Sequence, residues 1–76
     1  MYSETFGQKL AQARKNAGYT QKEVEKITRI KRENLSRYET GALEPCIEIL
    51  GILADFYCVS LDWLVGTAGG NGRIKQ

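Results

Sequence analysis

Gly18-Tyr-Thr-Gln-Lys-Glu-Val-Glu-Lys-Ile-Thr-Arg-Ile-Lys-Arg-Glu-Asn-Leu-Ser-Arg-Tyr-Glu-Thr-Gly41 is the stretch that decides the fold. Thr20 followed three residues later by Glu23 is a capping box. The threonine hydroxyl can accept from the Glu23 backbone N–H while the carboxylate reaches back to the N–H of Thr20. A helix therefore opens after Thr20, with Val24 and Ile27 on its apolar side. Ile30, Leu35 and Tyr38 supply apolar spacing around a second helix of about residues 32–39, closed by Thr40-Gly41. Neither Pro nor Gly separates the two helices, so the break between them is inferred.

The pattern extends outward on both sides. Thr5 with Gln8 reads as a capping box for an earlier helix, whose stripe is Phe6, Leu10, Ala13 and Ala17. Asn16-Ala17-Gly18 ends it, with Gly18 free to take a left-handed conformation. Downstream, Gly41-Ala-Leu-Glu-Pro45 is a loop, and Pro45 suits the mouth of a helix running from Ile47 to Tyr57. Ser60 with Asp62 caps a last short helix, Leu61–Val65, stopped by Gly66. The reading is an all-α domain of five short helices over residues 1–66. The glycine-rich residues 67–76 form a tail expected to be disordered.

With 76 residues the chain has room for one core. Its length leaves it marginally stable unless something beyond the core supports it. There is no histidine, and two cysteines alone do not complete a four-ligand zinc site, so neither metal nor cofactor is expected. Cys46 and Cys58 on one helix would stand about 18 Å apart, too far for a disulfide within the chain. They are read as small buried thiols, with an intermolecular link as the alternative. No apolar run approaches a membrane span, and residues 1–10 carry no signal-peptide core, so a soluble cytoplasmic protein is expected. Without histidine, a glycine-rich phosphate loop or a paired nucleophile and base, the sequence argues against an enzyme and against a small-molecule substrate.

Charge is unevenly placed. Residues 9–37 hold nine Lys and Arg against three acids, while residues 38–66 hold five acids and no base. The asymmetry fits one face meant for a polyanion, and equally an ordinary solvated charged face.

The stretch from Gly18 to Gly41 resembles the Xre-type helix-turn-helix family, which includes the repressors and Cro proteins of lambdoid phages. Phe6-Gly-Gln-Lys-Leu10, Pro45-Cys-Ile-Glu-Ile-Leu50 and Val59-Ser-Leu-Asp-Trp-Leu64 look like that family's first, fourth and fifth helices, so the likeness covers about residues 5–66. The resemblance implies a compact lambda-repressor-like domain that binds double-stranded DNA and regulates transcription, most simply as a repressor. It implies that the helix opening at Thr20 crosses the DNA backbone and that the helix near Arg32 enters the major groove. Gln21, Arg32, Glu33, Ser36 and Arg37 then face the groove. Their chemistry fits: each arginine can donate twice to guanine O6 and N7, and Glu33 can accept from cytosine N4. Gln21 at a helix start suits a phosphate. Lys31, Asn34 and Thr40 flank the set as backbone contacts, and Thr20, where the helix opens, is counted with the DNA-binding residues. Arg14 and Glu39 match a pair that in some relatives joins the first and third helices.

The chain also departs from the family. Glu25 stands where alanine is usual, and Arg29 stands in the turn where glycine is usual. Positive φ at residue 29 would cost about 1 kcal/mol. The i, i+4 spacing of Glu25 and Arg29 favours a helical ion pair, which would carry the second helix toward residue 29. Lys31 replaces the usual Ser or Thr cap, where its charge makes better sense beside a phosphate. The loop from Ala42 to Pro45 lacks the basic residues that some phage repressors use.

The fourth helix carries two apolar stripes. Leu50, Leu53, Ala54 and Tyr57 suffice to cover the core. Ile49, Ile52 and Phe56, beside Trp63, form the second, read as a homodimer interface against the alternative of a wider core. A dimer with recognition helices about 34 Å apart would read a palindromic operator. The rival function is a helix-turn-helix protein-interaction module, and an antitoxin or restriction–modification controller would share the same domain. The basic second and third helices favour DNA.

Overall fold

The computed structural model describes residues 5–66, and within them five helices follow one another with no strand. They are α1 Phe6–Asn16, α2 Gln21–Thr28, α3 Arg32–Thr40, α4 Ile47–Tyr57 and α5 Leu61–Val65. The tail assigned to residues 67–76 lies outside the described residues.

Most helix ends follow the local chemistry read above. Thr20 Oγ1 accepts from the Glu23 N–H at 3.1 Å, and Glu23 Oε1 accepts from the Thr20 N–H at 2.8 Å, closing the capping box on α2. Ser60 Oγ accepts from the Trp63 N–H at 3.0 Å at the start of α5. Gly18 has φ +88, and the N–H groups of Gly18 and Tyr19 return to the carbonyls of Lys15 and Arg14. That is a Schellman closure of α1. The start of α1 differs from expectation. Thr5 has ψ 8 rather than an extended value, so its side chain makes no cap hydrogen bond and the box with Gln8 does not form.

The turn between α2 and α3 keeps the geometry that glycine would favour, although it has none. Arg29 adopts φ 70, and its N–H donates to the Glu25 carbonyl at 2.8 Å. α2 therefore stops at Thr28, and among the described residues Glu25 and Arg29 form no ion pair. A left-handed residue swings its side chain off the i, i+4 row, which removes the pairing expected for a continued helix. Thr28 holds the turn from inside: its hydroxyl donates to the Val24 carbonyl at 2.7 Å and accepts from the Ile30 N–H at 3.2 Å. Arg29→Gly is expected to stabilise the protein by up to about 1 kcal/mol, since glycine pays no Cβ penalty at this φ. A higher urea midpoint at unchanged slope is the check; a lower one would show that the arginine side chain contributes more than its backbone costs.

The core draws Phe6, Leu10 and Ala13 from α1, Val24 from α2, Ile30 from the turn, and Leu35 and Tyr38 from α3. Leu50, Leu53, Ala54 and Tyr57 of α4 and Leu64 of α5 complete it. α3 is the hub, with α1 and α2 both packed on it, while α5 bridges α1 and α4. Lys9 ties α1 to α5: its ammonium donates to the Trp63 carbonyl at 2.9 Å and lies 5.4 Å from the Trp63 ring centre.

The second stripe of α4 is divided. Ile49, Phe56 and Trp63 are half-buried against the core, and Phe56 stacks on Tyr19 with ring centres 4.7 Å apart. Ile52 remains 45% exposed. The cysteines are not buried. Cys46 and Cys58 are both exposed because they occupy the two caps of α4, outside its apolar stripe. No helix among the described residues is long and apolar enough to cross a membrane.

Candidate nucleic-acid interface

Two helix starts converge on one depression. The capping box occupies the N–H groups of Thr20 and Glu23 but leaves those of Gln21 and Lys22, which have no carbonyl partner within the helix. α3 begins in the extended residue Lys31, whose side chain makes no cap hydrogen bond. Between these two starts lies an open concavity of about 660 Å³, lined by Arg14, Thr20, Gln21, Lys22, Arg32, Glu33, Ser36 and Arg37. Residues 32, 33, 36 and 37 share one helical face by spacing, and Arg32, Glu33 and Arg37 are exposed.

All five residues read as groove-facing are thus brought together: Gln21, Arg32, Glu33, Ser36 and Arg37. Thr20 joins them. Lys31 is exposed beside them, in a smaller depression with Glu25, Arg32 and Glu33. Asn34 falls off this face and is half-buried. Thr40 sits at the far end of α3, in a separate hollow with Gly7, Gln8, Glu39 and Gly41, and its hydroxyl donates to the Arg37 carbonyl at 3.3 Å.

Beneath the concavity lies a charged pair. Arg14 Nε donates to Glu39 Oε2 at 2.8 Å and Nη2 to Glu39 Oε1 at 3.1 Å, a two-pronged bond from α1 to α3. Arg14 Nη1 donates to the Tyr19 carbonyl at 2.9 Å. Gln21 Nε2 donates to the same Glu39 Oε1 at 3.0 Å. The two side chains of the pair are only 11% and 9% exposed. The Glu39 hydrogen bond raises the Arg14 pKa above the ordinary arginine value, against the opposing effect of burial. Burial, reinforced by Glu39, pushes the Tyr57 phenol up to about 12. Its hydroxyl finds no hydrogen-bond partner among the described residues.

Two lining residues went unassigned at this surface from sequence. Lys22 follows Gln21 directly at the start of α2, and that adjacency was the available signal. Arg14 comes from a different helix, and only the folded packing of α1 on α3 brings it to the floor.

A basic, exposed face on the second helix of a tight helical pair, braced by three further helices, is the architecture of a helix-turn-helix domain. The helix-turn-helix family matches residues 10–64, and the chain belongs to it. It is 42% identical over 62 residues to the HTH-type transcriptional regulator ImmR of Bacillus subtilis (strain 168), covering 82% of this chain and 49% of that one. It is 33% identical over 60 residues to the SPbeta prophage-derived uncharacterized HTH-type transcriptional regulator YonR of the same organism, covering 79% of this chain and 56% of that one. The chain spans about half the length of the curated relatives it matches.

Proposed function

We propose that this chain binds double-stranded DNA sequence-specifically and regulates transcription as a repressor, with α3 in the major groove. The observation that carries the reading is the single concavity where Gln21, Arg32, Glu33, Ser36 and Arg37 meet. Arg32 and Arg37 take guanine edges, Glu33 takes a cytosine amino group, and Ser36 reaches either partner of a base pair. Thr20, Gln21 and Lys31 sit at helix starts and hold phosphates, fixing register without reading sequence. Asn34 and Thr40 serve as peripheral backbone contacts. Membership of the helix-turn-helix family and the names of the two relatives support this assignment.

Arg32→Ala or Arg37→Ala is expected to weaken binding to a selected duplex by about 1–3 kcal/mol more than binding to random DNA. Lys31→Ala should instead weaken both and reduce the log–log salt slope by about 0.9. Equal losses on both duplexes for the arginines would make them phosphate contacts. A wild-type protein that binds no duplex would point to the protein-interaction alternative.

The functional unit we infer is a homodimer on a palindromic operator. Of the stripe Ile49, Ile52, Phe56 and Trp63, Ile52 is the residue to test, because Phe56 also packs on Tyr19 and its loss would disturb the core. Ile47, 66% exposed, and Leu61, 38% exposed, add apolar surface on α4 and α5. Ile52→Glu should leave a folded protein that sediments as a monomer and binds a half-site weakly, since an unpaired charge in a buried interface is costly. Wild-type protein that stays monomeric at high micromolar concentration with operator DNA present would exclude the dimer.

A further inference from the structure

We propose that Glu39, its side chain only 9% exposed beneath the interface, is a positioning residue for DNA recognition that acts by orienting the Gln21 side-chain amide; this rests on the DNA-binding reading above. An ionised carboxylate only accepts hydrogen bonds, whereas an amide side chain can offer either end. Glu39 Oε1, 3.0 Å from Gln21 Nε2, therefore dictates which end of the amide turns inward. One Nε2 hydrogen is committed to Glu39. The second hydrogen and the carbonyl oxygen remain for a ligand in the concavity that Gln21 lines.

The clamp is itself held. Glu39 receives two hydrogen bonds from Arg14, which in turn is anchored to the Tyr19 carbonyl just before α2. Three elements thus fix one amide: α1 through Arg14, α3 through Glu39, and the segment entering α2 through Tyr19. Arg14 also balances the charge of Glu39, so a carboxylate sits under a DNA-facing surface without adding net repulsion. A free glutamine side chain would have to be ordered on binding, at an entropic cost that this arrangement removes beforehand. Gln21 then donates to one phosphate from a preset orientation.

The test uses the full chain and a duplex selected for tight binding, with single phosphates replaced by neutral methylphosphonates. Gln21→Ala should weaken binding roughly tenfold, the scale of one hydrogen bond to a charged group. It should also abolish the sensitivity of binding to one particular methylphosphonate. Replacing the whole pair, Arg14→Met with Glu39→Leu, keeps net charge and removes the clamp without leaving a buried charge alone, so the fold should survive. Folded protein of that variant, verified by circular dichroism, should bind several-fold more weakly at unchanged salt slope. It should lose sensitivity to the same methylphosphonate, and Gln21→Ala should cost less in that background than in wild type. Wild-type affinity in the folded pair variant, losses that simply multiply, or retained sensitivity at that phosphate would overturn the positioning role. A changed slope would mean that Arg14 itself touches phosphate, which also overturns it. A wild-type chain that binds no duplex defeats the DNA reading itself, and the positioning role with it.

Discussion

Arg14→Ala is expected to lower stability by about 3 kcal/mol or more, because it strands the Glu39 carboxylate beneath the protein surface. The pair is 2.8 Å apart at its shorter contact and its side chains are 11% and 9% exposed, so water replaces little of the lost bond. A domain of this size has only about 0.05–0.15 kcal/mol of stability per residue. A loss on this scale removes a large share of it, and the melting temperature should fall by more than about 10 °C. Replacing both partners by apolar side chains should cost far less, because the penalty comes from one uncompensated buried charge rather than from losing the attraction. Thermal melts of Arg14→Ala and of the double replacement decide the matter. Equal destabilisation by the two would mean that the ion pair itself, not the stranded charge, carries the energy.

The contrast between what could be read from sequence and what could not follows the range of each interaction. Thr20 and Glu23 are three residues apart, so their reciprocal hydrogen bonds are written in local order and emerged as expected. The stripe of Leu50, Leu53, Ala54 and Tyr57 has helical spacing, and all four are buried. Arg29 shows where local rules competed. The i, i+4 pairing with Glu25 argued for continued helix, but Ile30 must enter the core, and reaching it requires the left-handed turn at φ 70. Thr5 shows a local signal that failed, since its backbone is not extended at ψ 8 and its side chain makes no cap hydrogen bond. Cys46 and Cys58 are exposed although cysteine is a small apolar residue by type, because burial depends on where a residue stands on a helix. That Gln21, Arg32, Glu33, Ser36 and Arg37 share one concavity was legible because the family resemblance and helical spacing agree on one face. The Gln21–Glu39 bond was not, since eighteen positions separate the partners and only the packing of α3 beside α2 joins them.

Gly7→Ala is expected to destabilise the protein by about 2–3 kcal/mol, the reverse of what helix propensity alone would give. Within a helix, alanine is ordinarily better than glycine by about 0.5–1 kcal/mol. Gly7 lies in the first turn of α1, where that helix crosses the end of α3. A Cβ there would stand 2.5 Å from the Glu39 carbonyl oxygen and 2.8 Å from that of Tyr38. Both neighbours are backbone, so no side-chain rotation relieves the clash; α1 has to move as a body. That movement would also pull on Arg14 and Glu39, which bridge the same two helices. Gly51 provides the internal control. It lies in α4, and a Cβ built on it meets nothing within 4 Å. Gly51→Ala should therefore stabilise the protein by about 0.5–1 kcal/mol, as propensity dictates. Opposite shifts in the urea midpoint for two glycine-to-alanine changes would identify Gly7 as the contact that sets the α1–α3 spacing. Stabilisation by both changes would show that α1 can slide on α3 without penalty.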